Sequence, residues 1–331
     1  GYGSDEIYTR MSMHSLGIWK ELFQQTGERL FHPTGVLWMS REGDPYGAAT
    51  GITLQRAGVR MEMLSESEIA NRYPQMSISG QQTYAILEPD SGVLMSRRAV
   101  TAVIRDACRM GLKYEMECAL EPVGRGQLTS VQTASGRKIR AGQFIFACGP
   151  WLPKLFPTLL GNRIFPTRQE VFFFAPPAGD SGFATPSLPV WLDFTDPRGP
   201  YGFPDLENRG FKLAFDHHGP RFDPDTGDRR LAPGSLEEAR KFLSERFPAL
   251  ANAPLTESRV CQYENTSNGD FLIDQHPDFE NVWLVGGGSG HGFKHGPAVG
   301  EYAVNRILHQ AAGEPRFSLA TKGEIENRTV Y

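Results

Sequence analysis

Cysteine is scarce in this chain: Cys108, Cys118, Cys148 and Cys261 stand alone among 331 residues. No pair has C-x-x-C or metal-ligand spacing, so neither a zinc site nor a disulfide framework is indicated. A reduced, intracellular setting and a cytoplasmic location are the simplest expectation. No apolar run approaches the ~20 residues that span a bilayer, and no signal peptide is visible at the start. Charge of one sign is also lacking. Thirty-four Lys and Arg against 38 Asp and Glu leave a net charge of −4, which is no footprint for nucleic acid. Internal repeats, low-complexity tracts and long linkers are absent. So is the G-x-G-x-x-G spacing of a dinucleotide fingerprint. What remains is an ordinary globular composition, 40% hydrophobic and 22% charged, long enough for one large domain or two smaller ones.

The most informative stretch runs from Cys261 to Glu301. A polar loop leads into Phe271, Leu272 and Ile273. A turn at His276-Pro277-Asp278 precedes a second apolar run, Val282 to Val285, which stops at Gly286-Gly287-Gly288. A helix starts near Pro297 and carries Tyr302, Val304, Ile307 and Leu308. Strand, glycine-rich turn and helix together let backbone N–H groups approach an anionic or electron-rich ligand. Gly288, Ser289, Gly290, His291, Gly292, Phe293 and Lys294 therefore form a candidate ligand cradle with a cation beside it. A tight strand-helix connection with a solvated lysine is the alternative.

Upstream, Ser4-Asp5-Glu6 makes an acidic helix start, with Tyr8, Met11, Ile18, Trp19, Leu22 and Phe23 on one face and Gly27 as C-cap. Gly35–Met39 and Tyr84–Leu87 read as strands, and Ser65-x-x-Glu68 as a capping box. Ser96 is placed as cap of a helix with Val100, Val103, Ile104 and Ala107 inward. Residues 112–149 look like a β-meander, in which the unalternating run Phe144–Ala147 fits a strand buried on both faces. Aromatic β-rich segments span 164–174 and 188–215. Ser235-x-x-Glu238 opens a further helix.

The motifs C-x-Y-x-N-T, D-F-L-I-D, H-P and G-x-S-G-H-G-F-K resemble the C-terminal part of the monomeric sarcosine oxidase family. Its relatives oxidise N-methyltryptophan, pipecolate and fructosyl amino acids, within the wider D-amino-acid-oxidase-like flavoproteins. The likeness extends upstream through Tyr201-Gly202-Phe203-Pro204, Phe211-Lys212-Leu213 and Ser91-Gly92-Val93-Leu94. It implies an α+β or α/β fold in two domains: a glutathione-reductase-like FAD domain and an antiparallel-sheet substrate domain. Residues 1–25, 91–162 and 256–331 would form the first, and 26–90 and 163–255 the second. Against the family pattern, the chain starts past the first βαβ unit and past an arginine-bearing segment that contacts substrate and flavin.

The resemblance also implies roles. Cys261 matches a cysteine that carries FAD through a thioether; without family knowledge it reads as an inert thiol. Cys148, Gly149 and Trp151 match a segment that abuts the cofactor, although Cys148 by itself reads as a small buried hydrophobe. Lys294 matches the lysine that pairs with the substrate carboxylate. Lys212 matches a lysine that promotes transfer of electrons to O2, where the alternative is an outward-pointing strand lysine. Tyr201 matches an active-site tyrosine. Asp216 stands where sarcosine oxidases place a histidine, which points away from sarcosine itself. Asp216-His217-His218 is not expected to hold metal, because adjacent strand residues face opposite ways. The implied reaction takes a secondary or N-methyl amino acid to an imine, with O2 reduced to hydrogen peroxide. An FAD-dependent amine dehydrogenase with another acceptor, and a cofactor-free remnant without catalysis, are the alternatives. The expected partners are a small amine and O2, with no nucleic acid and no membrane, in a monomer or weak oligomer.

Overall fold

The computed structural model describes residues 3–78 and 82–325; Gly1 and Tyr2 lie outside these. Its largest element is an eight-stranded sheet. From one edge to the other its strands are Leu255–Thr266, Ile164–Phe174, Phe211–Phe215, Pro200–Phe203, Val190–Asp193, Val36–Arg41, Thr83–Glu88 and Glu62–Leu64. Neighbours are antiparallel except Val190–Asp193 beside Val36–Arg41. Side chains alternate along each strand, so the register sorts the residues onto two faces. Phe172, Phe174, Phe211, Leu213, Phe215 and Trp191 lie on one. They pack against Ala239, Phe242 and Leu243 of the helix Ser235–Arg246 and against Phe247. Each such aromatic contributes about 1.5–3 kcal/mol by leaving water, and together they make this face a core. The opposite face carries Lys212, Tyr201, Phe203, Phe173, Val171 and Cys261. At the margin of the core, fully buried Asp193 meets the Arg246 guanidinium at 2.7 Å, and Arg246 also donates to the Ser77 carbonyl and the Thr195 hydroxyl.

A second, three-stranded sheet is built from Leu272–Gln275, Val282–Gly286 and Phe144–Phe146. The last two strands are parallel, so their carboxyl ends open on the same edge. This pairing overturns the expected meander over 112–149. Only the short hairpin Ser130–Gln132 with Lys138–Arg140 forms there, and Phe144–Phe146 pairs across the chain instead. Nor is that strand buried on both faces: Phe144 and Phe146 are buried, while Ile145 between them is 51% exposed.

The helix Glu6–Thr26 packs against the helix Gly296–His309 and sets Tyr8 against Phe271 and Ile273 of this sheet region. It starts as expected, with the Asp5 side chain accepting from the N–H groups of Ile7 and Tyr8, and ends on left-handed Gly27. Arg316 then clamps three features together. Its guanidinium meets Asp5 at 2.7 Å and Asp270 at 2.6 Å, and Asp270 also accepts from the Tyr8 hydroxyl at 3.0 Å. The Ser65 capping box is present in full. One other helix start differs from expectation: Met95, not Ser96, is the N-cap of Ser96–Arg109, and it makes no side-chain cap bond. The helix expected to open at Ser235 forms over Ser235–Arg246. Val100 and Val103 point outward, 46% and 39% exposed. The inward residues are Ala99 and Ala102, whose small size lets the helix close on Trp19, Phe23 and Leu30. No helix among the described residues is long and apolar enough to cross a membrane.

Candidate active site

The open face of the large sheet gathers the chemistry. Lys212 pairs across the ladder with Phe203 on one side and Phe173 on the other. Its ammonium sits 3.9 Å from the Phe203 ring centroid and 5.1 Å from that of Tyr201, a position in which aromatic faces replace part of its hydration. Burial pushes this ammonium down to about 8, against the attraction of the nearby Cys261 sulfur and with added repulsion from Arg209 and Arg259. Lys212 is thus poised to titrate near neutrality, which an outward strand lysine is not. Cys261 lies on the edge strand, opposite Gln169, and its thiol is exposed.

Two residues further along the same strand face, Tyr263 donates to Asp216 at 2.9 Å, and its hydroxyl stands 3.5 Å from that of Tyr201. Burial raises both phenols above their ordinary range, reinforced by the Asp216 carboxylate; Tyr201 raises Tyr263 further, whereas the hydrogen bond with Tyr263 eases Tyr201 downward. Both therefore stay protonated donors. Tyr263 was quoted above only as part of a motif; its alternation with Cys261 is the signal that places it in the site.

The glycine-rich turn docks on this face through backbone. A Cβ at Gly290 would lie 2.5 Å from the Tyr263 ring, and Gly290 has φ +81°. Only glycine fits there. Ser289 ties the turn to the edge strand, its N–H donating to the Glu264 carbonyl at 2.9 Å and its hydroxyl accepting from the Thr266 N–H at 3.2 Å. Lys294 follows in the short 3₁₀ turn Gly292–His295. Its carbonyl accepts from the Trp19 indole at 3.1 Å, and Phe293 stacks on Trp19 with centroids 5.6 Å apart. The long helix thereby fixes the segment that carries the lysine. His291 is placed differently from its neighbours. Its ring packs between Tyr8 and Phe271, and one ring nitrogen meets the Gly269 carbonyl at 3.0 Å, so this side chain braces the turn from behind.

Cys148, Gly149 and Trp151 lie at the carboxyl end of the Phe144–Phe146 strand, apart from the Lys212 cluster. The Cys148 thiol is pushed up by burial and by the Glu264 carboxyl beside it. Trp151 donates to Asp225 at 2.7 Å, and Lys154 binds both Asp223 and Asp225. Glu264 was missed by the sequence reading. It lies between Cys148-Gly149 and the glycines that follow Val282–Gly286.

Parallel strand ends thus open beside the glycine-rich turn, and that turn packs on the sheet face that presents an ammonium, two phenols and a thiol. Comparison with known proteins gives the family. Residues 1–306 match the family model described as FAD dependent oxidoreductase. The chain is 32% identical over 311 residues to monomeric sarcosine oxidase of Bacillus sp. (strain B-0618), with 91% of this chain and 77% of that protein covered. Peroxisomal sarcosine oxidase of Homo sapiens is 29% identical, with 96% and 81% covered. Among solved structures, L-proline dehydrogenase from P. horikoshii superposes with a TM-score of 0.79 at 21% identity, covering 96% of this chain and 83% of that one. The chain belongs to the FAD-dependent oxidoreductase family, and its cofactor is FAD.

The residues present fit that group. A Cβ at Gly288 or Gly292 would meet nothing closer than 3.6 Å, so the turn leaves room for close approach there, and one oxygen of Glu264 is sealed from water without a hydrogen-bond partner among the described residues.

Proposed function

We propose that this enzyme oxidises a secondary or N-methyl amino acid to the imine and passes the electrons to O2, giving hydrogen peroxide. The observation that carries the reading is the cluster of Lys212, Tyr201, Tyr263, Asp216 and Cys261 on one sheet face. FAD supplies the two-electron chemistry when bound. The protein holds, orients and charges the surroundings. Cys261, exposed at the rim, is the residue that would bond the cofactor covalently. Lys294, presented by the turn pinned on Trp19, offers a point cation for the substrate carboxylate. Lys212 keeps a proton, and a positive charge, where negative charge develops on oxygen. Residues 1–25, 91–162 and 256–331 serve the cofactor and the remaining segments the substrate. The Leu255–Thr266 strand also forms the edge of the large sheet, so it faces both.

Asp216 sets this site apart. Its carboxylate, oriented by the Tyr263 hydroxyl, favours a substrate that brings a positive or hydrogen-bond-donating group to that end, such as a free ammonium or a basic side chain. The test is to mix the purified protein under air with a panel of N-methyl and cyclic amino acids, with and without a basic side chain. Visible flavin bleaching without air, and one peroxide per amine consumed in air, are expected. Bleaching without peroxide would assign the acceptor elsewhere and leave an amine dehydrogenase. Human and bacterial sarcosine oxidases and N-methyl-L-tryptophan oxidase of Yersinia pestis, 28% identical, define the first compounds to try.

A further inference from the structure

We propose that Glu264 is a cofactor-binding residue whose carboxyl group accepts a hydrogen bond from the hydroxyl-bearing chain that joins the isoalloxazine to the phosphates. This rests on the FAD reading above. Glu264 follows Tyr263, so it points to the opposite side of the edge strand. There it enters the space between the ends of two parallel strands, Phe144–Phe146 and Val282–Gly286. Open α/β sheets take their ligands outside such carboxyl ends.

The local chain is shaped around this side chain. A Cβ at Gly286 would lie 2.3 Å from Glu264 Oε1 and 2.4 Å from Leu152 Cδ1, while the position of a Cβ at Gly149 is 3.9 Å from Oε2. A glycine at 286 is therefore what admits the carboxyl. Oε1 is shut off from water and has no hydrogen-bond partner among the described residues. The groups facing it are the N–H groups of Gly287 and Gly288 and the Cys148 thiol, with no cation acting on it; burial raises the carboxyl to about 7. A carboxyl oxygen sunk without a partner costs stability unless something arrives to satisfy it. A phosphate there would meet a second negative charge. A hydroxyl chain supplies donors, which is what Oε1 lacks here.

The experiment uses full-length apoprotein from riboflavin-starved cells, as wild type, Glu264→Ala and Glu264→Gln. Each is titrated with FAD and with lumiflavin, which has the ring and no hydroxyl chain, by quenching of flavin fluorescence. Glu264→Ala should weaken FAD roughly 10- to 100-fold, the scale of a hydrogen bond to an ionisable acceptor, and leave lumiflavin unchanged. The unfolding midpoint of the alanine apoprotein should rise, while the increment added by FAD should shrink. Should the alanine variant not fold, Glu264→Gln carries the test: wild-type affinity for FAD should change between pH 5 and pH 8 and the glutamine variant's should not. Equal loss of FAD and lumiflavin, or FAD affinity unaffected by either substitution, overturns the proposal. A folded wild-type apoprotein that binds no FAD overturns the flavoprotein reading with it.

Discussion

Lys212→Met is the most discriminating perturbation. The native side chain holds a cation against two aromatic rings, lowered by burial to about 8. Methionine keeps the length and removes the charge. A unit charge within about 5 Å of a developing negative charge, at an effective dielectric of about 20, contributes roughly 3 kcal/mol, or about two orders of magnitude in rate. That loss should fall on reoxidation by O2, because the proposed cation for the substrate carboxylate is Lys294. The sign with pH follows from the ammonium. It is charged below about 8 and loses its proton above, so reoxidation of the wild type should slow as pH rises through that value. An electron-rich neighbour would move the transition upward. Stopped-flow reoxidation at varied O2 between pH 6 and pH 10, beside anaerobic reduction by substrate, gives both half-reactions. Equal slowing of the two, or a pH transition that survives in the methionine variant, would refute the reasoning.

Lys294→Ala should raise KM for amino acid substrates at least tenfold with a smaller change in kcat, and an amine lacking the carboxylate should not notice the change. Denatured wild-type holoprotein should keep its yellow colour and carry the added mass of the flavin, and Cys261→Ala should lose both; intact-mass spectrometry decides. Arg246→Ala strands the buried Asp193 carboxylate and should cost about 3–5 kcal/mol in denaturant unfolding, with flavin content of the folded fraction unchanged.

Tyr201, Lys212 and Cys261 were singled out by the family resemblance; their residue types alone read as a strand tyrosine, an outward lysine and an inert thiol. The register puts all three on one face of the large sheet. Glu264 was not legible. Its meaning depends on Gly286 and Leu152, brought against it by a sheet that no local pattern announces. Ile145 misled for a related reason: an apolar run reads as buried on both faces, but one face of this strand is uncovered among the described residues. Val100 and Val103 misled because helix packing here selects small residues. Alanines let the backbone approach Trp19, and the larger valines are left outside. The meander over 112–149 failed because Phe144–Phe146 finds its partner, Val282–Gly286, more than a hundred residues away.

Arg316 holds the first turn of the Glu6–Thr26 helix and the loop that leads into Phe271 with a single guanidinium. Asp5 and Asp270 thus share one counter-ion although they are far apart in sequence. Their substitutions should not combine additively: once either carboxylate is gone the guanidinium is free to serve the other, and the double replacement should be more damaging than the two single ones suggest. Local opening of the helix start and of the loop is in this way one event, and exchange of amide protons at Ile7 and Phe271 should report it with a common free energy.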